Sequence, residues 1–204
     1  MKTTEKDQEI QQSIIVNGVN VSNLHQTIDA VQANAEVGKF QFRLKNKWIG
    51  GSRTFASING FHGACQEFER PSTYFLHSDE PAVLLGSDTA PNPGEYLLAA
   101  LAACVTTSMV YHAAARGITI QEIESKVEGD VDLRGFLNID SNVRKGLQGI
   151  RMSFAIRADV SDEQIQELVA IGTEFSPGFD TLINGVPIAV KAERMEAQQA
   201  SSAA

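Results

Sequence analysis

The sequence predicts an α+β fold of antiparallel sheets and separately placed helices, and three observations carry that prediction. Extended segments come in hairpin pairs with helices between the pairs, unlike the strict strand–helix–strand alternation of a parallel sheet. One long segment with a capping pattern at each end is almost free of charge. Two later segments alternate apolar and charged residues with period two. Length and composition agree: 204 residues, 43% hydrophobic and 21% charged, suit one globular domain with a real core rather than a disordered, collagenous or coiled-coil chain.

Taken in order, residues 1–12 are polar and aperiodic and carry no apolar h-region, so neither a folded element nor a secretion signal is expected there. Between residues 21 and 35, Leu24, Ile28 and Val31 recur at helical spacing behind Ser22 and Asn23 as capping residues. Lys39 to Lys45 alternates with period two, and Gly50-Gly51 turns the chain into a second extended segment, Arg53 to Ile58. Gly60 and Gly63 punctuate a further strand-like run through Phe68, and Tyr74 to Leu85 reads as extended but interrupted by Pro81.

The strongest helix signal opens at Asn92-Pro93-Gly94-Glu95, an N-cap, a first-position proline and an acid able to return a bond to the cap. It runs to Arg116, where Gly117 supplies a left-handed stop. Tyr96 to Ala115 contains no Asp, Glu, Lys or Arg, which is the length a bilayer requires. Its Ala, Thr and Ser content, with no basic flank, favours a helix buried inside a globule or an oligomer over a membrane span. Next, Ile123, Val127, Val131 and Leu133 point one way and Glu122, Glu124, Lys126, Glu128, Asp130 and Asp132 the other. After a polar turn near residues 142–145, Ile150, Met152, Phe154, Ile156 and Ala158 form the apolar side of a partner strand, with Arg151 and Arg157 outward. Ser161-Asp162-Glu163-Gln164 is a capping box for a helix burying Ile165, Leu168 and Val169. Ser176-Pro177 opens a last helix, and Val186 to Val190 reads as a closing strand before an Ala/Gln/Ser-rich tail, residues 192–204.

Several function classes fall away. Seventeen Lys+Arg against 25 Asp+Glu give a net charge of -8, with no basic face for nucleic acid or anionic membrane. Two Cys without close spacing and four scattered His make neither a disulfide framework nor a zinc site, so a reducing, cytoplasmic setting is expected. Dinucleotide, phosphate-loop, zinc-protease and serine-hydrolase motifs are all missing, so no cofactor is expected. What remains is a thiol, Cys104, midway along the long helix among small side chains. Ser108 and Tyr111 share its helical face, and His112 lies roughly 80° round the axis. A buried Cys among Ala residues is also commonly an inert packing group.

The run from Asn92-Pro93-Gly94-Glu95-Tyr96 to Cys104 resembles the osmotically inducible protein C and organic hydroperoxide resistance superfamily (OsmC/Ohr). So do the spacing to Ala114-Ala115-Arg116-Gly117-Ile118, the alternating strand, and Ser176-Pro177 followed by Val186-Pro187-Ile188. The resemblance covers about residues 39–191 and leaves residues 1–38 as an N-terminal extension with a short helix. It implies an intertwined homodimer with two long central helices, and thiol-dependent reduction of organic hydroperoxides. It also implies a peroxide-attacking Cys, which falls on Cys104, and a resolving Cys before a helix-opening proline, where this chain has Ser176. The family's activating Glu falls on Gly94, with the acid displaced to Glu95, which should point away from Cys104. For the family's Arg the nearest match is Arg53, with Arg70 competing.

The expectation is therefore at most a one-Cys hydroperoxide reductase served by an external thiol reductant. Two alternatives stand beside it: a non-enzymatic binder of a small apolar ligand in the same interface cleft, and an assembly of purely structural use. Cys65 matches no resolving position, and on its own element it reads as an ordinary strand residue.

Overall fold

The structure, a computed structural model, describes residues 14–195, so residues 1–13 and 196–204 lie outside it. Strands β1 (Ile15–Val16) and β2 (Val19–Asn20) form a minimal hairpin around Asn17-Gly18, both at positive φ (54° and 75°). Helix α1 (Val21–Ala33) follows at once, capped by Asn20, whose side chain accepts the Asn23 N–H at 2.9 Å. Ser22 and Asn23 thus lie inside the first turn rather than capping it, because the hairpin delivers Asn20 in the extended conformation a cap needs. The Asn17 side chain also reaches across the molecule. Its Nδ2 donates to Ile118 O at 2.9 Å and its Oδ1 accepts the Ile120 N–H at 2.8 Å.

Two three-stranded antiparallel sheets come next. One contains β3 (Gln41–Phe42), β6 (Phe61–Gly63) and β7 (Gln66–Phe68); the other contains β4 (Lys45–Gly50), β5 (Arg53–Ile58) and β8 (Tyr74–Ser78). The Gly50-Gly51 turn links β4 to β5 as expected, with φ of 120° and 59°. Its first arm starts at Lys45, however, and the alternating segment before it pairs only at Gln41 and Phe42. The reason is that β6 turns away after Gly63 and offers no longer edge. Extended structure after Tyr74 stops at Ser78, where the buried Asp79 carboxylate gathers the Ser52 hydroxyl, the Thr89 hydroxyl and the N–H groups of Glu80, Ser87 and Thr89. That clip folds residues 79–92 into a compact loop ending at the next helix.

Helix α2 (Pro93–Ala115) has the anticipated capping box: Asn92 and Glu95 exchange bonds of 2.8 Å in each direction. Gly117 follows it at φ 71°. By length and composition α2 could cross a membrane, yet Leu101, Val105, Met109, Ala113 and Ala114 are buried inside the protein. Strand β9 (Ile120–Asp130), the short helix α3 (Leu133–Phe136) and strand β10 (Gly149–Ala158) follow. Val131 and Leu133 leave the expected strand because Asp132 caps α3, accepting the Arg134 N–H at 3.0 Å. The β9–β10 register sets Arg151 opposite Glu128 and Arg157 opposite Glu122. Ion pairs Arg151–Asp130, Arg151–Glu128 and Arg157–Glu122 line the wet face.

The apolar face of that hairpin, including Ile123, Ile150, Met152, Phe154 and Ile156, packs on Leu101, Val105 and Met109. Helix α4 (Asp162–Glu174), capped by Ser161 with Gln164, covers another side of α2. At the crossing Gly172 is obligatory for the approach: a Cβ there would lie 2.1 Å from Met109 Cγ. Helix α5 (Pro177–Asn184) is opened by Ser176. Residues 186–190, expected as a strand, pair with no described strand, and Val186, Ile188 and Val190 are exposed.

Candidate active site

Cys104 is half-buried on α2, and its sulfur faces the first turn of α5. The Gly178 N–H donates to Cys104 Sγ at 3.2 Å. The first turn of a helix leaves N–H groups without intrahelical acceptors, and each one here is accounted for. Pro177 has none, Gly178 gives its N–H to the sulfur, and Phe179 gives its N–H to Ser176 Oγ at 3.2 Å. The Asp180 N–H then makes the first regular bond, to Ser176 O at 2.9 Å. Sulfur therefore lies at the positive end of a helix dipole belonging to α5 rather than to its own helix. The spacing around Cys104 on its own helix gives no sign of Gly178, which lies 74 residues on. The Ser-Pro-Gly opening of α5 was the available signal.

Gly178 also leaves room for the contact. A Cβ placed on it would lie 3.0 Å from Cys104 Cβ, 3.2 Å from Cys104 Sγ and 3.9 Å from Ser176 Oγ. Cys104 and Ser176 thus flank the same glycine, and Ser176 is 1% exposed. An apolar cleft of ≈ 440 Å³ lies between α2, β10, α4 and α5, lined among others by Leu101, Phe154, Val169, Phe179 and Leu182. Its lining holds neither Cys104 nor Gly178; Leu101, one turn before Cys104, and Phe179, next to Gly178, are the lining residues nearest to them along the chain.

The other expected site residues are distributed unevenly. Ser108 is buried one turn beyond Cys104, and its hydroxyl has no hydrogen-bond partner among the described residues. Tyr111 is half exposed. The His112 ring lies tilted by 35° against Phe175 with centroids 4.8 Å apart; burial, reinforced by Arg116 and opposed by Glu174, holds the imidazole below its ordinary range. Glu95 is committed to the Asn92 cap and does not serve the sulfur. Arg53, at the start of β5, makes no ion pair or hydrogen bond to Cys104 among the described residues. Arg70 donates to Asn59 O and lies over the Phe61 and Tyr74 rings, at 5.0 and 5.5 Å. Cys65 is an exposed residue at φ 62° in the β6–β7 turn rather than within a strand.

One charged group of structural weight went unforeseen. Asp79 is fully buried, and its five donors, the Ser52 hydroxyl foremost, hold its carboxyl well below the usual carboxylate range. No spacing in Ser78-Asp79-Glu80-Pro81 announces that role.

A family model described as OsmC-like protein matches residues 86–191. Comparison with the curated proteins yields no match. Among solved structures, the chain is similar to an OsmC-like protein from Mycoplasma pneumoniae, at 20% identity and a TM-score of 0.54, over 70% of this chain and 87% of that one. It is also similar to an OsmC-like protein of unknown function from Vibrio cholerae, at 11% identity and a TM-score of 0.52, over 69% of this chain and 92% of that one. The matched residues, just over half of the 204, run from the loop clipped by Asp79 through α2, the β9–β10 hairpin and α5, and on this ground the chain belongs to the OsmC-like protein family.

Proposed function

We propose that the protein is a thiol-dependent reductase of apolar organic hydroperoxides in which Cys104 is the attacking thiol. The observation that carries this reading is the Gly178 N–H aimed at Cys104 Sγ, on two helices that also wall an apolar cleft. The sulfur meets an oriented N–H at the first turn of a helix, and the thiolate is the form of a cysteine that attacks. The cleft offers an apolar wall to the organic group, directing the peroxide oxygens toward sulfur. The thiolate attacks one peroxide oxygen, the O–O bond breaks, an alcohol leaves, and Cys104 becomes a sulfenic acid. Ser176 stands where the related two-Cys enzymes carry a second thiol, so an external thiol must return Cys104 to its reduced form. Two free cysteines suit a reducing, cytoplasmic setting.

The working unit in this proposal is a homodimer, and the surface of the single chain supports it. Phe42, Trp48, Tyr74 and Phe75 are among the large apolar side chains left open on the two N-terminal sheets. In such a dimer Arg53 belongs to a sheet free to meet the partner, which is the route by which a cation would reach a Cys104 site, with Ser108 and Tyr111 lining it.

Consumption of cumene hydroperoxide with a dithiol reductant tests the proposal: turnover that disappears in Cys104→Ser is expected, and equal turnover in the variant would refute it. The second reading, a binder of a small apolar ligand, draws on the same cleft and on the absence of an Arg or carboxylate bonded to the sulfur among the described residues. Ligand retention unchanged by Cys104→Ser, without hydroperoxide turnover, is its signature.

A further inference from the structure

We propose that oxidised Cys104 is resolved by the backbone amide of Gly178, which condenses with the sulfenic acid to form an S–N bond bridging α2 and α5. The inference rests on the hydroperoxide reading above and supplies the step that Ser176 leaves open. Three features of the chain support it. First, the Gly178 nitrogen is 3.2 Å from Cys104 Sγ with its hydrogen toward the sulfur. Second, this N–H is at the second position of α5, where no intrahelical acceptor exists, so converting it to N–S removes no bond of the helix ladder. Third, Gly178 has no side chain to hold the sulfur away, and a Cβ there would already crowd Cys104.

Ser108 follows Cys104 by four residues on α2 and so neighbours it on the helix surface; it is 9% exposed, and its Oγ has no partner among the described residues, the reduced sulfur included. A buried hydroxyl without a partner is costly, and an oxygen added to Cys104 is a group within the reach of an i, i+4 neighbour.

The sequence of bonds balances. A hydroperoxide ROOH and the Cys104 thiol give Cys104–SOH and ROH, a two-electron oxidation of sulfur. The Gly178 nitrogen then bonds to sulfur as the S–O bond breaks; the amide hydrogen and the hydroxyl leave as water, with no further redox change. A small-molecule thiol R′SH attacks the sulfur, the S–N bond breaks, the nitrogen regains its proton, and a mixed disulfide forms. A second R′SH releases R′SSR′ and restores the Cys104 thiol. Confining the sulfur as sulfenamide also withholds it from irreversible over-oxidation.

The test uses the full chain carrying Cys65→Ser, which removes an intramolecular disulfide as a rival, treated with one equivalent of cumene hydroperoxide without reductant. The expected product is lighter by about 2 Da, gives a tryptic fragment joining the peptides of Cys104 and Gly178, and returns to the starting mass with a monothiol. The same link in a chain that also carries Ser176→Ala excludes an ester to that hydroxyl. A product heavier by about 16 Da that dimedone traps, or a disulfide between chains, overturns the amide step while leaving the hydroperoxide reading intact. Unchanged mass with a still alkylatable Cys104 overturns both.

Discussion

The amide of Gly178 meets the sulfur of Cys104 at 3.2 Å across 74 residues of sequence, and this one contact joins the long core helix to the last helix of the chain. Its chemistry depends on how closely the two can approach.

Gly178→Val should therefore separate them. A Cβ at this position falls 3.2 Å from the sulfur, so a branched side chain must push α5 outward. Losing one hydrogen bond to a charged acceptor, worth about 1.5–3 kcal/mol, predicts a roughly 10- to 100-fold slower reaction of the reduced protein with cumene hydroperoxide. Stopped-flow rates read this out, with a thermal melt to confirm folding. An unchanged rate would show the contact to be incidental.

Ser176→Cys should give the protein a second thiol beside the first, since both side chains border Gly178. Hydroperoxide treatment is expected to produce an intramolecular disulfide. Turnover with dithiol should rise several-fold. Intact mass under non-reducing conditions and steady-state rates check both outcomes.

Asp79→Asn should lower the melting temperature by several degrees at neutral pH, because the neutral amide cannot accept all the hydrogen bonds the carboxylate accepts. The sign with pH follows from the depressed folded value. The carboxylate's contribution is fully present above the unfolded value of about 3.9, and is lost as pH falls below it toward the folded value. The gap between wild-type and variant melting temperatures should stay constant above about pH 5 and narrow on further acidification. A gap independent of pH would contradict this account.

Gly172→Ala should destabilise the crossing of α2 and α4 by about 1–3 kcal/mol, because its Cβ would overlap Met109 Cγ. Met109→Ala alone should cost about 2–5 kcal/mol as a cavity in a fully buried site. Together they should cost clearly less than their sum, since the new methyl occupies space the shortened side chain vacates. Urea denaturation of the four proteins measures the coupling.

Much of the site-bearing half of the chain was readable from sequence, for local reasons. Asn92-Pro93-Gly94-Glu95, Ser161 with Gln164, and Ser176-Pro177 are caps whose hydrogen bonds close within four residues, so their spacing states their structure. The β9–β10 pair was legible because one face is wet and the other meets α2. What escaped depends on distant partners. The span of β3 was set by how far β6 runs alongside it, the Asp79 clip by donors from four other residues, and the Gly178 contact by packing of α5 on α2. Asn17-Gly18 is different: an Asn-Gly pair between apolar residues is a strong hairpin signal, written locally in the sequence.

The Asn17 amide bonds to the main chain at Ile118 and Ile120 in the manner of one further strand residue, so the chain upstream of residue 39 is wired into the base of β9. A shortened version beginning at Lys39 would strip that edge of both partners just where the core helix hands over to the hairpin. The Ile118 carbonyl and the Ile120 N–H would then have to find solvent in place of the Asn17 amide.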